Sequence, residues 1–174
     1  VTEPGEADDL PDGAIAMALT IVETQLGRGV GGGKKNLERL GESIRLGMEV
    51  WGENSFVNAF GALIYVGVSL AKDKIEYDLL QTMIPAIVGG LYEEVEELDV
   101  PVEMLPTAAG LLTAAYMRRL PHEWRTGLGP IVPGEPMMFC YTACGVAQYM
   151  DDNVFGRPGR FAEVLTIGLA TDRP

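Results

Sequence analysis

Side chains able to do chemistry are sparse in this sequence. His122 is the lone histidine, which excludes a multi-histidine metal site within one chain. The segment Pro121-His122-Glu123-Trp124-Arg125 offers a general base in His122 and a carboxylate in Glu123. A loop turn anchored to the core by Trp124 is the simpler reading of that segment. Cys140 and Cys144 stand four apart on an expected helix. That spacing suits a disulfide poorly and completes no zinc set, so both read as small buried hydrophobes. Asp151-Asp152-Asn153 supplies oxygen ligands without EF-hand spacing and reads as a polar helix terminus. Glu93 and Glu97, one helical turn apart, lack the histidine partners of a carboxylate-bridged metal site. No catalytic residue, metal ligand or cofactor is assigned.

One stretch invites comparison with a phosphate-binding loop, the Gly-rich run from Gly27 to Gly33 followed by Lys34 and Lys35. Against the pattern G-x-x-x-x-G-K-[ST], Gly33-Lys34 fits the second half. Arg28 stands where the first glycine belongs and Lys35 where the magnesium-binding hydroxyl belongs, and a helix rather than a strand precedes the run. A nucleotide-triphosphate site is therefore excluded. Arg28, Lys34, Lys35, Arg39 and Arg45 remain a weak anion or nucleic-acid contact set, with a hinge between two helices as the simpler reading.

Small residues carry a clearer message. Gly67 and Ala71, Ala109 and Thr113, Gly110 and Ala114, and Ala143 and Ala147 are each four apart. On helices they form smooth stripes that let backbones approach closely, within or between chains. Gly67, Ala71, Gly110 and Ala114 are the candidate self-association positions.

Charge narrows the partners. The formal net charge is −12, which disfavours non-specific binding to nucleic acid or to anionic membrane surfaces. Only residues 28–50 are net basic, with five bases against three acids. The mean hydropathy of +0.13 is high for so acidic a chain, so apolar and charged residues must be segregated onto different faces. The acidic, Pro-containing start from Val1 to Asp12 is the opposite of a signal peptide's basic first region. The longest uncharged run, Asn54 to Ala71, lies at the margin of a bilayer span, and a soluble protein with buried helices is expected. The sequence assigns no compartment.

The elements that must position these residues read as helices. Residues 1–11 are expected to be an extended arm and residues 12–174 a single helical domain. A first helix is predicted from an Asp12 N-cap to about Leu26, through Ile15, Leu19 and Val22. A second follows from Asn36 with the stripe Leu37, Leu40, Ile44, Met48 and Trp51. The all-round apolar segment 54–71 should be the buried central helix. A fourth pattern from Asp73 meets Pro85, where it must kink or stop, then resumes through Leu98. A fifth helix opens at Pro101 and Pro106 and ends near Arg118. Residues 121–136 read as a long Pro-rich loop with about one helical turn, and Pro136 starts a sixth helix through about Met150. Residues 151–159 read as loop, and 161–170 fits either a helix or a strand.

The expected fold is thus all-α, a compact bundle of about six helices around the 54–71 helix. The leading functional expectation is a non-catalytic structural or interaction protein (a coat, filament or scaffold subunit) that forms a homo-oligomer through its helix faces and arm. The alternatives are a small-molecule binder or enzyme with an inter-helix pocket, and a nucleic-acid packaging subunit using the basic 28–45 segment.

Overall fold

Glycine and proline divide the chain into eight α-helices, with no strand among the described residues. These are α1 (Asp12–Arg28), α2 (Lys34–Trp51), α3 (Glu53–Lys74), α4 (Met83–Glu94), α5 (Leu105–Tyr116), α6 (Pro121–Thr126), α7 (Glu135–Met150) and α8 (Arg160–Thr171). A 3-10 turn at Val102–Met104 leads into α5, and a π-helical turn at Asp151–Phe155 extends α7. The computed structural model describes residues 10–28, 33–98 and 100–171, apart from the side chains of Arg28 and Thr171. Most of the expected arm and the centre of the Gly-rich run lie outside the described residues.

Local chemistry explains the boundaries. Pro106, Pro121 and Pro136 sit at the first or second position of α5, α6 and α7, where a missing N–H costs no helical bond. Gly52, at φ 84°, joins α2 to α3. Its N–H bonds the Met48 carbonyl at 3.0 Å, and its own carbonyl receives the Phe56 N–H at 3.0 Å.

Several expectations are corrected. The described residues form eight α-helices rather than about six, because residues 121–126 form α6 and 160–171 form α8. Asp12 is the first residue of α1 rather than its N-cap; the Pro11 carbonyl receives the Ala14 and Ile15 N–H groups at 2.8 and 3.2 Å. The helix expected at 54–71 runs from Glu53 to Lys74. No helix starts at Asp73. Residues 75–78 leave the helical path and residues 79–82 form a turn, where the Leu80 N–H bonds the Asp78 carboxylate at 2.9 Å. Pro85 then falls in the first turn of α4 and kinks nothing. That helix ends at Glu94 rather than Leu98.

The interior is shared by α3 and α7. Helix α3 packs on α1, α2, α5, α6 and α7, while α7 also packs on α4 and α8. Phe56 and Phe60 of α3, Phe139 and Tyr141 of α7 and Phe161 of α8 are fully buried, and burial of each such side chain stabilises the fold by roughly 1.5–3 kcal/mol. Close approach depends on missing side chains: a Cβ at Gly47 would overlap the Phe56 ring, and one at Gly67 would overlap Val146. By length and composition α3 is the one helix among the described residues able to cross a bilayer; 56% of its most apolar stretch is buried inside the fold.

Candidate functional site

The buried polar side chains hold the fold together. Arg125 and Glu135, 5% and 4% exposed, form an ion pair between α6 and the first turn of α7. Arg125 also donates to the Glu135 Oε2 at 3.1 Å and to the Gly129 carbonyl at 2.7 Å, and Glu135 Oε2 accepts the Val132 N–H at 3.1 Å. This one pair therefore shapes the whole Pro/Gly-rich connection. Asp151 is also buried; its two carboxylate oxygens accept the Gly159 N–H at 2.6 Å and the Phe161 N–H at 2.8 Å. It caps the start of α8 from the π-helical turn that follows α7. Asn36 donates to Gln25 at 2.9 Å, tying α2 to α1. Cys140 and Cys144 are free, buried and hydrogen-bonded to each other. That bond, followed by burial, holds the Cys140 thiol well above its ordinary pKa.

The remaining sequence candidates are dispersed. His122 is exposed on α6, and no group of three or more His, Cys, Asp or Glu side chains is placed to hold a metal among the described residues. Lys34 and Lys35 are exposed in the first turn of α2. Arg39 lies along the groove between α2 and α1, whereas Arg45 pairs with Glu49. The side chain of Arg28 lies outside the described residues. The small residues make intramolecular contacts: Gly67 faces Val146 and Phe161, a Cβ at Gly110 would stand 2.7 Å from the Trp124 ring, and Ala71 and Ala114 are buried.

Besides a groove of about 330 Å³ between α2 and residues 131–137, two concave surfaces among the described residues bear on function. The first is a groove of about 280 Å³ between α1 and α2, lined by Met17, Ile21, Leu40 and Leu46 with Thr20, Thr24 and Arg39. Leu46 and Val50 beside it are 50% and 58% exposed. Both stand off the Leu37–Trp51 stripe, which was the signal available in the sequence. The second is a cleft of about 290 Å³ between α4 and α7, closed at one end by the π-helical turn. It is lined by the apolar and aromatic residues Ile87, Leu91, Tyr141 and Tyr149, the acids Glu94 and Asp152, and the amides Gln148 and Asn153. Tyr149 is held above the ordinary tyrosine range by burial and by its contact with Tyr77, the two hydroxyls lying 3.4 Å apart.

Compared with protein-family models, with curated proteins and with solved structures, the chain matches none.

Proposed function

We propose that the chain is a non-catalytic structural or interaction subunit that self-associates, pairing with a second copy through the α1–α2 face. The observation that carries this reading is the placement of Leu46 and Val50, half exposed beside a groove floored by Met17 and Ile21. Large apolar side chains grouped in this way on a soluble surface mark contact sites. The charges fit a copy of the same face. Lys34, Lys35 and Arg39 lie toward the start of α2, and Glu49, paired with Arg45, lies in its last turn. An antiparallel two-fold arrangement sets the basic end of one copy opposite the acidic end of the other. The same reading gives residues 1–11 the part of an arm and makes the chain a coat, filament or scaffold subunit.

The test is solution mass by light scattering after size exclusion, across a concentration series. The expected result is an assembly for the wild-type chain, reduced to the 18.7 kDa monomer by Leu46→Glu combined with Val50→Glu. A monomer at every concentration overturns the reading. An assembly indifferent to both substitutions but lost on removing residues 1–11 moves the contact to the arm. Tight nucleic-acid binding that falls steeply with added salt transfers the basic segment to packaging.

A further inference from the structure

We propose that the cleft between α4 and α7 binds a small organic cation, a short alkylammonium or diamine. The argument begins with what is missing from its walls. Gly90 lies on the α4 wall, and no atom stands within 4 Å of where its Cβ would be. Glycine inside a helix costs about 1 kcal/mol relative to alanine. At Gly145 on the opposite wall a Cβ would stand 2.8 Å from Ile87, so close helix packing accounts for that residue. Gly90, like Gly89 beside it, has open space where a Cβ would stand; of the two only Gly90 lines the cleft, and its bare backbone leaves the cleft wide.

The lining selects the ligand's charge. Two acidic residues, Glu94 and Asp152, line the cleft from different elements, and no lysine, arginine or histidine lines it. An anion would meet uncompensated repulsion there. Tyr149, beside Ile87, Leu91 and the almost fully buried Tyr141, supplies aromatic and aliphatic surface, which receives the alkyl part of an ammonium ion and attracts its charge. The volume of about 290 Å³ is at the small end of ligand pockets, which limits the occupant to a few heavy atoms. Burial, with Glu97 and Glu93 adding to it, keeps the Glu94 carboxyl above its ordinary range. A bound cation would relieve that penalty.

The experiment is amide-resolved NMR titration of the full chain with putrescine and n-butylammonium, and with n-butanol and butyrate as neutral and anionic counterparts. Saturable shifts confined to residues 86–94 and 145–153 are expected with the two cations only. Gly90→Leu fills the cleft from a position with open space, so it should keep the fold and weaken binding by at least about tenfold, equivalent to 1.4 kcal/mol. Gly89→Leu, on the same helix and outside the lining, should bind as wild type. Asp152→Asn and Glu94→Gln should each weaken binding and provide the test if Gly90→Leu does not fold. Absence of saturable cation binding overturns the proposal. So does equal binding of butanol or butyrate, or cation binding unchanged in both Gly90→Leu and Asp152→Asn.

Discussion

Arg125 and Glu135 show how a few polar residues govern this apolar fold. Their charges are buried and paired with each other, so removing one strands the other. Arg125→Met alone or Glu135→Leu alone is expected to cost about 3–5 kcal/mol, while the double substitution recovers most of the loss; urea unfolding of the three variants checks this. Asp151→Ala strips the acceptor from two N–H groups at the start of α8. It should cost roughly 1–2 kcal/mol, seen as a lower melting temperature. Glu94 has the opposite sign. Burial, then Glu97 and Glu93, raise its pKa in the fold, with Asp152 and Tyr149 lining the same cleft. The unfolded chain ionises this carboxyl more readily, so Glu94 disfavours folding above its folded pKa and stops doing so below the ordinary glutamate range. Glu94→Gln should therefore raise the melting temperature at neutral pH, and the gain should vanish in acid. None of these roles was legible in the sequence. Arg125 and Glu135 lie ten residues apart across a Pro/Gly-rich connection, and Asp151 was readable only as a polar helix end.

The helices were more legible than the breaks between them. The stripe from Leu37 to Trp51 belongs to α2, and Pro136 lies at the start of α7 as proline preference requires. The pattern Ile75, Leu79, Met83 misled because the chain turns at Asp78 while Leu79 and Met83 still face the core. Apolar spacing reports which residues are buried and does not establish that the backbone between them is helical. Glycine inside a helix is similarly ambiguous until its neighbours are known. Gly89 is exposed with open space around it, whereas Gly47 sits against Phe56. Gly89→Ala should thus stabilise the fold by about 1 kcal/mol through helix propensity. Gly47→Ala should destabilise it by about 1–3 kcal/mol through overpacking. Thermal unfolding of the pair separates the two causes.

For the whole molecule, the net charge of −12 opposes any contact between copies. Assembly through the α1–α2 face should therefore strengthen as pH falls from neutral toward the sequence pI of about 4.4, as followed by light scattering. The all-helical class was legible because apolar periodicity runs through most of the chain. The α4–α7 cleft was not, since its walls are separated by some fifty residues and its most informative member, Gly90, has no side chain. The thiol pair in α7 provides a built-in gauge of the native state. Cys140 and Cys144 are 0% and 1% exposed within the shared interior, so an alkylating reagent reaches them only when that interior opens. Their labelling rate in undenatured protein would count those openings directly, giving a stability clock that needs neither denaturant nor an inserted probe.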